Sequence, residues 1–145
     1  MMILTIALYI FIILELFNVV IMYFRPGFPY GNSMTVFKAW HRSADDQNLH
    51  LFTTYMVRWV ANCKLIFIAL LVLISLLGTD ALKFWTVIVT MLSVGVYYIT
   101  LHPIIRRLDE RGEIQPKGYS KTLALMIGGF MLVFAVALIL SVVIS

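Results

Sequence analysis

Four long apolar runs occupy most of this 145-residue chain, at residues 2–24, 51–78, 82–101 and 122–144. No other feature constrains the fold as strongly. A helix of about 20 apolar residues crosses a hydrocarbon core of about 30 Å, and each run is long enough to do so. A soluble domain of this length could not bury a hydrophobic set that makes up 62% of its residues. The pattern excludes a secreted disulfide scaffold, a disordered tail and a nucleic-acid reader. Cys63 is the single cysteine, so no intramolecular disulfide and no multi-cysteine metal site can form. The expected class is therefore all-α: one integral membrane domain, residues 1–145, folded as an antiparallel four-helix bundle.

The first run has no preceding basic residue, no small-residue cleavage pattern after it, and Glu15 within it, so it reads as a span and not a cleaved signal. Between the second and third runs lies only Gly78-Thr79-Asp80, a tight turn that makes a helical hairpin. Basic residues then set the orientation. Loop 25–50 carries Arg25, Lys38 and Arg42, and loop 102–121 carries Arg106, Arg107, Arg111, Lys117 and Lys121. Lys83 alone falls on the other side. By the positive-inside rule both loops are cytoplasmic and both termini extracytoplasmic, in a bacterial-type plasma membrane.

The loops carry local signals of their own. Ser33 is placed to cap a short helix whose Met34, Phe37 and Trp40 recur every three residues. Such a helix lies in the headgroup layer or packs back on the bundle. Ser43-Ala44-Asp45-Asp46 reads as the cap of the second long helix, and Ser120 as the cap of the fourth. Pro103 ends or kinks the third helix, and Gly112 stops its extension. The run Arg106, Arg107 and Arg111 is diluted by Asp109 and Glu110, which suggests a solvated face meeting anionic lipid.

Polar residues inside spans are costly and so are the best functional lead. Counted from the outer helix ends, Glu15 lies about 20 Å deep and Lys64 about 21 Å. Asn18, Asn62, Tyr97, Tyr98 and the pair Gly128 and Gly129 all fall near 24 Å, and Arg58 near 30 Å, at the cytoplasmic boundary. The expected site is thus a polar layer in the cytoplasmic third, made of Glu15, Asn18, Arg58, Asn62, Lys64, Tyr97 and Tyr98. Three readings fit it. One is a Glu15–Lys64 ion pair beside a ligand pocket; another is an ion pair that only fixes packing, with asparagines and tyrosines as interhelical glue; the last is a Glu15 that carries a proton. Lys64 and the stripe His50, Thr54, Arg58 and Asn62 are about 200° apart, so they are not expected to face the first helix together.

Four spans, a short chain and a lone glutamate in the first span resemble the small multidrug resistance transporters. That resemblance would make Glu15 the proton and cation site. Three features depart from it: a first loop of 26 residues, Lys64 at the depth of Glu15, and a charge bias that opposes dual-topology insertion. The chain is not assigned to that family.

His41, His50 and His102 form no ligand motif, and no nucleophile set, phosphate loop or metal cluster is present. The expectation is a non-catalytic membrane protein, without cofactor or metal, that binds a lipid or a membrane protein partner through the polar layer. The alternatives are a small homo-oligomeric proton-coupled transporter using Glu15, and a membrane-embedded enzyme acting on a lipid.

Overall fold

The computed structural model describes residues 2–26, 28 and 34–144. The long helix α1 (Met2–Phe24) leads to a 3-10 turn at Met34–Val36 and a short helix α2 (Lys38–Ser43). Helix α3 (Gln47–Leu77) follows, then α4 (Asp80–Gly95), α5 (Tyr97–Thr100) and α6 (His102–Glu110) in close succession, and finally α7 (Tyr119–Val143). Every regular element among the described residues is helical, apart from an isolated bridge between Phe37 and Ile114. Four rods are long and apolar enough to cross a membrane: α1, α3, the stretch Asp80–Glu110, and α7.

Helix ends follow backbone chemistry. Asp46 caps α3 by accepting from the amides of Asn48 and Leu49 at 2.9 and 3.1 Å. The cap is therefore Asp46, and the expectation of a Ser43 cap is corrected. Ser43 instead closes α2 and is buried, with Oγ donating to the Trp40 carbonyl at 2.7 Å. Gly78 ends α3 where a Cβ would collide with the Ile74 carbonyl oxygen, and Thr79 caps α4. Pro103 does not stop the third rod. It sits in the first turn of α6, where its missing N–H is tolerated. Gly112, at φ 71°, then terminates α6: the Glu113 amide reaches the Leu108 carbonyl at 2.9 Å and the Gly112 amide the Asp109 carbonyl at 3.0 Å. This is the Schellman pattern that a glycine in the left-handed region permits.

The core is a set of apolar seams. Leu4, Leu8, Phe11 and Val19 of α1 meet Ala61 and Leu71 of α3, Val87 of α4 and Phe134 of α7, all buried. Phe11 is the aromatic centre, with ring centroids 5.2 Å from Phe134 and 5.6 Å from Phe130. The outward positions are apolar as well: Ile13, Leu132 and Ile139 are each more than 60% exposed. A rod apolar on all sides suits a lipid surround, because lipid tails solvate what water would reject.

The two loops are joined to each other. The Lys38 amide donates to the Glu113 carbonyl at 2.9 Å, and the Gln115 amide to the Val36 carbonyl at 2.8 Å. The Arg42 guanidinium grips the Glu113 carboxylate through both amino groups, at 2.6 and 3.3 Å. Beneath these bonds Val36, Ile105 and Ile114 form a second small core, backed by Phe37, Leu108, Tyr119 and Leu123. The loop-one segment is thus packed against α3 and the second loop. Its expected Ser33 cap lies outside the described residues.

Candidate functional site

Glu15 and Lys64 occupy core positions. On α3 the seam residues Val57, Ala61, Ile68, Leu71 and Ser75 are buried, and Lys64 falls in the same alternation of four and three. On α1 the matching seam is Leu4, Leu8, Phe11, Val19 and Met22, with Glu15 between Phe11 and Val19. Seam periodicity therefore aims both charged side chains into the bundle. Lys64 Nζ lies 2.7 Å from Glu15 Oε2, with side-chain exposures of 24% and 15%. A charge-assisted hydrogen bond of this length neutralises two groups that hydrocarbon would otherwise reject singly.

Beside the pair lies a pocket of about 490 Å³, with walls from α1, α3, the α4–α5 junction and α7. Its polar lining residues are Glu15, Asn18, Lys64, Ser93, Tyr97 and Thr100, and its apolar ones include Val60, Val94, Met126 and Phe130. That volume falls within the usual range for small-molecule sites, about 300–1,000 Å³. Of the seven residues expected in the polar layer, four line this pocket: Glu15, Asn18, Lys64 and Tyr97.

The other three do not. Asn62 turns to the exposed flank of α3, where its Oδ1 accepts a hydrogen bond from the Tyr23 hydroxyl. The expectation that Lys64 and Asn62 could not both address α1 is corrected here. Lys64 meets Glu15 along the seam, while the long Tyr23 side chain reaches Asn62 from the side. Arg58 shares that flank, is exposed, and makes no hydrogen bond or salt bridge among the described residues. Tyr98 is directed at α7, with its hydroxyl donating to the Ala124 carbonyl at 2.6 Å. Tyr97 and Tyr98 are adjacent, so about 100° separates them and only one can enter the pocket.

No family model matches this chain, and neither a curated protein nor a solved structure is significantly similar to it. The site must be read from its own chemistry. Among the described residues no three His, Cys, Asp or Glu side chains converge as metal ligands. The histidines are engaged singly: His41 Nε2 is 3.1 Å from the Thr35 carbonyl, and His50 Nδ1 is 3.1 Å from Ser43 Oγ. His102 Nδ1 is 3.5 Å from the Tyr97 hydroxyl, at the loop end of the pocket.

Two residues acquire roles that the sequence did not suggest. Asp109, expected on a solvated face, is buried. Its carboxylate accepts from the Gly118 amide at 2.9 Å, the Ser120 amide at 3.0 Å and the Ser120 hydroxyl at 2.6 Å. It satisfies the first turn of α7, so Ser120 is its partner and not the helix cap. Gly118, at φ 88°, precedes the helix. Glu113 is the second such residue. The Arg42 guanidinium bonded to it holds its carboxyl below the ordinary value.

Proposed function

We propose that this chain is a non-catalytic membrane protein that binds an amphipathic molecule of lipid type in the pocket beside Glu15 and Lys64. In this reading the rods form an antiparallel bundle, with both loops cytoplasmic and both termini outside a bacterial-type plasma membrane. The eight-to-one split of loop basic residues supports that orientation. The observation that carries the binding proposal is the pocket itself. It gathers a paired acid and base and the amide and hydroxyl side chains of Asn18, Ser93, Tyr97 and Thr100 in one cavity whose remaining lining is apolar, Val60, Val94, Met126 and Phe130 among it. A ligand that combines hydrogen-bonding groups with an apolar part matches that mixed lining.

Lys64 bears on the alternative of a cation carrier. Its ammonium already occupies the Glu15 carboxylate, so a cationic substrate would have to displace it. Catalysis would have to be built from Glu15, Lys64, Ser93, Tyr97 and Thr100, and the bond between Glu15 and Lys64 ties up the acid and the base.

Native mass spectrometry of gently extracted protein tests the binding. The expected spectrum shows wild-type protein carrying an adduct of lipid mass, and Ser93→Phe, which fills the pocket, largely without it. A bare wild-type chain, or an adduct equally abundant in the filled variant, would overturn the proposal. A larger complex retained instead would favour a protein partner.

A further inference from the structure

The first turn of α7 and the adjoining face of α6 enclose a second cleft, of about 520 Å³, separate from the pocket at Glu15. Arg106, Lys117 and Lys121 line it together with His102, Asp109 and Glu110. Two carboxylates share the cleft with these three cations. The Asp109 carboxylate is held by neutral donors on Gly118 and Ser120, and its charge also acts on Lys117. Glu110 Oε1 accepts from Arg106 Nε at 2.9 Å, which leaves the terminal amino groups of that guanidinium. Lys117 and Lys121 are exposed and make no hydrogen bond or salt bridge among the described residues. With three cations against two carboxylates the cleft keeps one net positive charge, and the Lys117 and Lys121 ammonium groups are in no direct ion pair among the described residues.

Its depth identifies the occupant. A hydrocarbon core of about 30 Å takes about 20 helical residues. Counted back from Val143, that length of α7 ends near Ala124, which leaves Lys121 about 4–5 Å beyond the hydrocarbon. Counted forward from Asp80, the same length ends near Ile99, which leaves His102 about 4–5 Å beyond it. If the rods span the bilayer as proposed, both bring the cleft to the headgroup layer. Toward the hydrocarbon the same helix faces turn apolar: Leu125, four residues from Lys121, and Ile99, three from His102, are both nearly fully exposed.

We propose that this cleft binds the phosphate of an anionic phospholipid, with Arg106, Lys117 and Lys121 on the headgroup and the acyl chains along Leu125 and Ile99. Basic pockets between spanning helices at the membrane surface serve this purpose, and a guanidinium with free terminal amino groups suits phosphate oxygens. The proposal does not depend on the Glu15 pocket.

The test uses the full chain in a neutral detergent, titrated with phosphatidylglycerol, phosphatidylcholine or glycerol phosphate and read by native mass spectrometry. Wild type should prefer phosphatidylglycerol to phosphatidylcholine. Lys117→Gln with Lys121→Gln should weaken phosphatidylglycerol about tenfold or more, since each basic residue near an anionic headgroup contributes appreciably. Arg107→Gln with Arg111→Gln removes the same charge outside the cleft and should change it less than about twofold. Equal losses in the two variants would reduce the effect to net charge and overturn the site. Equal wild-type affinity for phosphatidylcholine would also overturn it, and that arm decides the matter even if the lysine variant fails to fold. Glycerol phosphate binding as tightly as the lipid would overturn the lipid assignment in favour of a soluble anion.

Discussion

Lys64 Nζ and Glu15 Oε2 stand 2.7 Å apart at positions where both helices, Ser75 apart, otherwise bury apolar side chains. Removing one partner leaves the other charged among apolar neighbours, which costs about 3–5 kcal/mol when such a pair is fully buried. The pocket keeps this pair partly exposed, so the loss should fall toward the lower end. Glu15→Lys and Lys64→Glu should each lower resistance to SDS unfolding, followed by helix circular dichroism. The two changes together should restore most of it. A double variant no better than the worse single one would show that the contact does not hold the helices.

Asp109→Ala should destabilise the start of α7. It leaves the Gly118 and Ser120 amides and the Ser120 hydroxyl without their acceptor. The expected loss is about 2 kcal/mol, the scale of a lost cap plus unsatisfied buried donors. SDS titration measures it, and hydrogen exchange should show the loss concentrated in residues 118–122. An unchanged midpoint and unchanged exchange there would contradict the role.

The junction of the loops should depend on pH. Glu113 has its carboxyl pulled below the ordinary 4.5 by the side-chain hydrogen bond from Arg42 and by that charge. A depressed folded value means that the contribution is complete above the unfolded value and fades as pH falls through the folded one. Arg42 is exposed and Glu113 only half-buried, so the effect is a local loosening and not global unfolding. Spin labels at Ala39 and Arg111, in a Cys63→Ser background, should give a narrow distance distribution at pH 7 and a broader one near pH 3. Glu113→Gln should be broader at both. A distribution in Glu113→Gln as narrow as wild type at pH 7 would remove the pair from the account.

Gly128 and Tyr98 should be coupled. A Cβ on Gly128 would stand 2.9 Å from the Tyr98 hydroxyl, which itself donates to the Ala124 carbonyl. Gly128→Ala should cost about 1 kcal/mol or more through overpacking. Tyr98→Phe should lose about 1 kcal/mol with its hydrogen bond. The double variant should cost little more than Tyr98→Phe alone, because the clashing oxygen has gone. Additive losses would mean that the helices separate and the two residues do not touch.

The sequence carried the spans, because a run of apolar side chains is a local property. Rise per residue also put Glu15 and Lys64 at one level, and their side chains meet. Azimuth was harder. Depth alone grouped Arg58, Asn62 and Tyr98 with the pocket residues. The alternation Val57, Ala61, Lys64, Ile68 already singles out Lys64 as the seam position, and a seam count would have set Asn62 and Arg58 on the flank. Asp109 and Glu113 were illegible for another reason. Their partners, Ser120 and Arg42, lie 11 and 71 residues away. No local pattern distinguishes a carboxylate folded onto a distant amide from one facing water.

The most direct test of the central claim is photocrosslinking with a lipid that carries a diazirine in its acyl chain, followed by peptide mapping of the labelled sites. The account predicts adducts on the pocket wall at Val94 and Phe130, lost in Ser93→Phe while the outward face is still labelled. Labelling spread over Ile13, Leu132 and Ile139 with none at Val94 or Phe130 would contradict it, leaving the Glu15–Lys64 pair a structural device alone.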